Sequence, residues 1–258
     1  MKLVDEVSES IIGYSVAVVN IEKSVKKIVR WIEESERKYF VCANPHSLIV
    51  ADSDDDFKEA IQNADLVTPD GAGILLASWI LGGAIGERVT GYDVFEGVMS
   101  QLNQKSGFTC FFLGSTEETL KKIVRRAEVD FPNVKVCGTY SPPYKTIFSR
   151  EDNDAIVAEI NRAKPDILWV GLTAPKQEKW INEHLDKIDV KFAGAIGAVF
   201  DFYVGNIKRS HSFFQNIGLE WLPRLLQEPR RLWKRSFVSS YLFLVKVLKQ
   251  KYFTMISR

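Results

Sequence analysis

The chain has 258 residues, 46% of them apolar, and a formal net charge of +1. That is ample for one large buried core, with or without an appendage. Three widely spaced cysteines, Cys42, Cys110 and Cys137, give neither a disulfide framework nor a Cys-x-x-Cys metal clip, so a reducing compartment is expected.

The opening residues, MKLVDEVSES, place acids where a secretory signal needs a basic and then an apolar stretch. Residues 39–43 and 66–68 read as short strands, each running into a loop and then a helical pattern. The first ends at Asn44-Pro45-His46. Asp52-Ser53-Asp54-Asp55-Asp56 has a DxD spacing able to hold a divalent metal. It precedes Phe57-Lys58-Glu59-Ala60, however, and reads better as the acidic first turn of a helix. The second strand ends at Thr68-Pro69-Asp70-Gly71-Ala72-Gly73, ahead of an apolar helix over 74–81. Asp70 is there either a turn-maker or a strand-end catalytic carboxylate. The segment from Arg88 to Asp93 offers a cation, the Thr90 hydroxyl and a carboxylate, or else a salt-bridged helix start.

From residue 108 the pattern is regular. Residues 108–113 form a buried strand ending in Gly114, and Ser115 to Glu118 is a capping box that opens a helix to about residue 130. A strand over 134–140, a helix over 150–163 and a strand over 166–171 follow. Gly171 to Glu178 then leads through Pro175 into a helix reaching Leu185, and 191–202 supplies a fourth strand. Strands alternating with crossover helices predict an α/β fold, a Rossmann-like, mostly parallel sheet with helices on both faces. Ligands in such sheets bind beyond the carboxyl ends of the strands. Neither a P-loop nor a GxGxxG fingerprint is present, and His46, His184 and His211 lack zinc-site spacing.

The near-neutral total conceals a division of charge. Residues 202–258 hold eleven Lys and Arg against two acids, net +9, while the first 201 hold 23 basic and 31 acidic side chains, net −8. Eleven of the thirty aromatics lie in that tail. Phe237, Tyr241, Leu244, Leu248 and Tyr252 recur at helical spacing, with Lys246, Lys249 and Lys251 off the stripe. Together with Trp233, Lys234 and Arg235 this reads as an interfacial helix on anionic lipid; a core or oligomer helix is the alternative. Residues 237–245 are too short for a span, which needs about twenty apolar residues. A division into a core, 1–203, and a helical, basic C-terminal appendage, 204–258, is expected.

The chain resembles the WecG/TagA/CpsF family of bacterial glycosyltransferases. The segments that carry the likeness run in order over nearly the whole chain. They are Asn44-Pro45; Ala64 to Gly71; Arg88 to Asp93; Phe112 to Ser115; Gly171 to Trp180; Gly197 to Phe202; Gly218 to Trp221 with Arg224; and Glu228 to Arg231. The resemblance implies inverting, metal-independent transfer of a sugar, N-acetylmannosamine or a relative, from a UDP donor. The implied acceptor is undecaprenyl-diphosphate-linked N-acetylglucosamine, in teichoic acid or cell-surface polysaccharide synthesis. It implies Asp70 as the base and Arg88, Arg224 and Arg231 as cations for the leaving diphosphate. Asn44 contacts the sugar or orients the acceptor, Gln177 lines the same pocket with Thr90 and Asp93, and Tyr140 and Asp201 hold the uridine. Related sequences often carry Thr where Cys42 stands, and a thiol is the poorer hydrogen-bond partner.

No cofactor or metal is expected. The setting implied is peripheral, on the inner face of the cytoplasmic membrane, with a homo-oligomer left open. A nicotinamide-dependent oxidoreductase on the same core is disfavoured by the missing glycine fingerprint, and a membrane-docked scaffold without turnover is the non-enzymatic alternative. Nucleic acid is not an expected partner, because the cations come with apolar stripes and no recognition motif.

Overall fold

The computed structural model describes residues 7–207 and 238–256. Arg224, Arg231, Trp233, Lys234, Arg235 and Phe237 therefore lie outside the described residues.

The chain begins with an antiparallel hairpin, β1 (Ser8–Ile11) and β2 (Tyr14–Ala17), and then α1 (Ile21–Glu33). Asn20 caps α1 by accepting from Lys23 N at 2.8 Å, and Val25, Ile28, Val29 and Ile32 form its buried stripe. The main body follows as β3 (Lys38–Ala43), α2 (Pro45–Ala51), α3 (Asp55–Gln62), β4 (Leu66–Pro69), α4 (Ala72–Leu81) and α5 (Gly91–Asn103). It continues through β5 (Phe108–Gly114), α6 (Glu117–Asp130), β6 (Val134–Tyr140), α7 (Arg150–Ala163), β7 (Ile167–Gly171) and α8 (Lys176–His184). β8 (Phe192–Ala195), α9 (Val199–Tyr203) and, after the undescribed segment, α10 (Ser240–Ile256) complete it.

The six-stranded sheet has the order β4-β3-β8-β7-β5-β6, and all its pairings are parallel. Helices cover both faces, as expected for a Rossmann-like α/β fold. One face packs α2, α3, α7, α8 and the hairpin through Leu48, Phe57, Ile160 and Ile181, and the other packs α1, α5, α6 and α9 through Ile28, Phe95, Ile123 and Phe200.

The expected strand over 191–202 is corrected. It stops at Ala195, Gly197 turns the chain at φ +57°, and residues 199–203 are helical. A continuous apolar run does not by itself distinguish a buried strand from a buried helix. The capping box expected at Ser115 is also moved. Thr116 caps α6, accepting from Thr119 N at 3.2 Å, while Ser115 sits at φ +58°. The acidic run at 52–56 does open a helix, with Asp54 accepting from Phe57 N at 3.1 Å.

β5 and β7 run close at their ends. A Cβ added at Gly171 would lie 2.3 Å from the ring of Phe200, which is fully buried and stacks edge-on against Phe112. Gly171→Ala is expected to lower stability by about 1–3 kcal/mol, because the ring has no room to retreat. Urea unfolding checks this, and an unchanged midpoint would show that the core relaxes freely there.

α10 does not float free of this body. Phe243 and Val247 are buried against α2 and α4. Gln250 accepts from Ile12 N at 2.7 Å and donates to Ser10 O at 2.7 Å. Lys246, expected at a lipid surface, is half exposed and pairs at 2.5 Å with Asp52. The opposite side of the helix carries Tyr241, Leu244, Leu248 and Tyr252, all exposed. One side of α10 is thus a core helix, and the side that carries the expected stripe is exposed.

Candidate active site

The outgoing chain leaves β3 for α2 on one face of the sheet and leaves β8 for α9 on the other. Adjacent strands with diverging connections open a crevice at their carboxyl ends, the usual ligand position in such sheets. Asn44 follows β3, Asp70 follows β4, Gln177 opens α8 after β7, and Gly197 follows β8.

Asp70 is held there by backbone bonds. Its N–H donates to Ala43 O at 2.8 Å, and Val89 N donates to Pro69 O at 2.9 Å. The first places Asp70 beside Asn44, and the second brings Arg88 next to the same strand end. A Cβ on Gly73 would strike Pro45 at 2.4 Å, so α4 starts directly against the start of α2. Gly71, at φ +102°, is the N-cap of α4 and supplies no side-chain cap. The first amides of α4 consequently offer uncapped donors and the positive end of the helix dipole.

Several expected ligands have structural duties. The Asn44 Oδ1 accepts from Ser47 N at 3.0 Å, and Ser47 Oγ accepts from Asn44 N at 2.9 Å, a reciprocal cap on α2. The Asn44 amide Nδ2 takes no part in this cap. Thr90 and Asp93 cap α5 in the same way, with Thr90 Oγ1 donating to Asp93 Oδ2 at 2.7 Å. The start of α5 also lies against β8, since a Cβ on Gly91 would meet Ile196 at 3.4 Å.

Cys42 accepts from Thr68 Oγ1 at 3.6 Å. Burial pushes its thiol well up; the charge of Asp70 adds to that, and the Thr68 bond opposes it. The Asp70 carboxylate thus bears on the end of β3. Cys42 is a neutral thiol there, able to shape the floor but not to act as a nucleophile.

Gln177 bridges two elements, accepting from Gly197 N at 2.9 Å and donating to Glu178 Oε1 at 2.8 Å. Glu178 is absent from the sequence-based set. A Glu in the first turn of a helix reads as an ordinary dipole partner, and its burial is a tertiary fact. Asp201, on α9, accepts from Asn206 Nδ2 at 3.2 Å. Tyr140 ends β6, two strand spacings from β7 and four from β3, about 10 and 19 Å. The acids of the DxD run are ion-paired. Asp54 and Asp56 meet Lys179 at 2.9 and 3.4 Å, and Asp52 meets Lys246.

The description "Glycosyl transferase WecG/TagA/CpsF family" matches residues 9–256. The N-acetylglucosaminyldiphosphoundecaprenol N-acetyl-beta-D-mannosaminyltransferase of Bacillus spizizenii is 30% identical over 221 residues, 86% of this chain and 82% of that protein. The protein of the same name from Bacillus subtilis is 31% identical over 208 residues, 81% and 78% of the two chains. A Staphylococcus aureus protein of that name is 23% identical over 221 residues, 85% and 84%. A match across most of the chain, with its strand-end residues gathered at one crevice, shows that this protein belongs to the WecG/TagA/CpsF family and is a glycosyltransferase.

Proposed function

We propose that this enzyme moves N-acetylmannosamine, or a closely related sugar, from a UDP donor to undecaprenyl-diphosphate-linked N-acetylglucosamine. The transfer is inverting and metal-independent, and it feeds teichoic acid or another cell-surface polysaccharide. The observation that carries this reading is the fixing of Asp70 beside Asn44 by the bond to Ala43 O, next to the uncapped start of α4. The names of the relatives supply the sugar and the acceptor.

In this reading the Asp70 carboxylate takes the proton of the acceptor hydroxyl as that oxygen attacks the anomeric carbon. The bond from that carbon to the diphosphate oxygen breaks, and UDP departs with the electron pair. Charge growing on the diphosphate is met by Arg88 and by the first amides of α4. Arg224 and Arg231 are proposed to close over it from the appendage. The Asn44 Nδ2 and Gln177 orient the sugars, and Asp201 takes the uridine. Tyr140, at the end of β6 and two strands from β7, shares that role. The ion pairs of the DxD acids support a mechanism that does not use them for a metal.

Among the described residues no helix is long and apolar enough to cross a membrane. We place the enzyme on the inner face of the cytoplasmic membrane, resting on the outward side of α10 and on α4, whose Leu76 and Trp79 are 49% and 77% exposed. Residues 1–203 form the catalytic core and 204–258 the appendage that meets lipid. The deciding assay is UDP release from a panel of UDP-sugars with lipid-diphosphate-linked N-acetylglucosamine, with EDTA present. Acceptor-dependent release from UDP-N-acetylmannosamine that resists EDTA is expected. Release that EDTA abolishes, or none with any donor, would sink the reading.

A further inference from the structure

Glu178 is 5% exposed, and its Oε2 has no hydrogen-bond partner. An orphaned buried carboxyl oxygen is costly and calls for a cause. Its other oxygen, Oε1, accepts from Gln177 Nε2 at 2.8 Å, while Gln177 Oε1 accepts from Gly197 N at 2.9 Å. The Gly197 N–H requires an acceptor, so the Gln177 amide has one allowed orientation and must present Nε2 to Glu178. The chain thus runs from α8 through two side chains to the turn after β8, at the crevice. Gly197 and the Gln177 amide are in contact there, a Cβ on Gly197 lying 3.5 Å from Nε2.

We propose that Glu178 is an uncharged positioning residue, whose carboxyl locks the Gln177 amide against Gly197 and adds no further negative charge to the floor of the site. The proposal rests on the functional reading above, in which Gln177 lines the sugar site and the donor carries a diphosphate. A carboxylate at this place would repel that diphosphate. Among the described residues no cation pairs with the Glu178 carboxyl. Lys179 turns to Asp54 and Asp56 on α3, and the groups around Cys42 on β3 are the carboxyls of Asp70 and Asp93. Burial is the largest influence on Glu178 and lifts it from 4.5 to about 7 against the Gln177 bond. A neutral carboxyl also carries a single O–H donor, where a glutamine would bury two N–H groups.

The folded state then binds a proton that the unfolded state releases between pH 4.5 and about 7. Stability from this group is complete below pH 4.5 and falls as pH rises through that window, by up to about tenfold in the folding equilibrium per pH unit.

The test compares the full-length wild type with E178Q and E178A, in turnover and donor KM from about pH 6 to about pH 9 and in urea unfolding over the lower window. E178A is expected to lose about tenfold to a hundredfold in turnover through misplacement of Gln177. E178Q, which keeps an acceptor for Nε2, is expected to restore turnover to within about threefold of wild type. Donor KM should rise above about pH 7 in wild type and stay flat in E178Q. Stability of wild type relative to E178Q should fall with rising pH. An E178Q enzyme that folds but is as inactive as E178A overturns the proposal, as do parallel unfolding curves for wild type and E178Q. A wild type that transfers no sugar removes the functional reading instead, and the unfolding comparison alone then decides whether the carboxyl is neutral.

Discussion

Asp70→Asn is expected to lower turnover by about a thousandfold while leaving the fold and the donor KM near wild type. The amide has the shape of the carboxylate but cannot accept the proton of the attacking hydroxyl. Placement of the residue depends on its backbone, through the bond to Ala43 O and the neighbouring bond from Val89 N to Pro69 O, and neither involves the side chain. The loss should therefore appear in turnover and not in binding. The expected size follows from what a positioned general base contributes, about 10²–10⁴-fold. Single-turnover transfer to a lipid-linked acceptor, with UDP affinity measured alongside, separates the two. A variant within tenfold of wild type would move the base elsewhere. Loss confined to KM would make Asp70 a binding residue.

The reason Asp70 was legible in the sequence lies in strand-end chemistry. A short apolar strand, a Pro-Asp-Gly turn and an apolar helix fix a carboxylate at the carboxyl edge of a parallel sheet. The elements from β5 to α8 were legible for similar reasons, with apolar runs bounded by glycine or proline and helices opened by capping residues. The hairpin was not. Its two turn residues are Ile12 at φ +46° and Gly13 at φ +90°, and a β-branched residue in the left-handed region gives none of the Asn-Gly signal such turns usually carry.

The shifted cap of α6 has a tertiary origin. Gly114 sits at φ +120°, where a Cβ would meet Gly171 O at 2.6 Å, so the approach of β7 bends the chain before the helix begins. Composition likewise cannot say whether a polar residue caps a helix or faces a substrate. Asn44 does the first with its oxygen and retains its amide nitrogen, whereas Thr90 and Asp93 are engaged with each other. The pairing of Lys246 with Asp52 was not legible, because the two are remote in sequence and no local pattern reveals such a contact.

Replacing Trp79, Leu248 and Tyr252 together by serine is expected to weaken binding to anionic vesicles by about 10²–10⁴-fold without lowering the melting temperature. The three side chains are 77%, 52% and 62% exposed, so the folded protein in water loses little packing with them. On a membrane each would bury apolar surface worth about 1.5–3 kcal/mol when complete, and partial immersion of three gives roughly 3–6 kcal/mol. Phe243→Ala is the contrasting change. That ring is 4% exposed against the core, and its loss should cost about 3–5 kcal/mol of stability. Turnover should follow the same division. The triple variant should fail on a lipid-linked acceptor but keep wild-type rates on a short-chain, water-soluble analogue, because Asp70 follows β4 and Gln177 lies on α8, neither on α10. Rising salt should weaken the remaining vesicle binding, since Lys249 contributes only screened attraction. If the triple variant sediments with vesicles as wild type does, the outward side of α10 is not the lipid-binding face. If it loses both substrates equally, α10 acts on the site itself and the membrane role assigned to it is wrong.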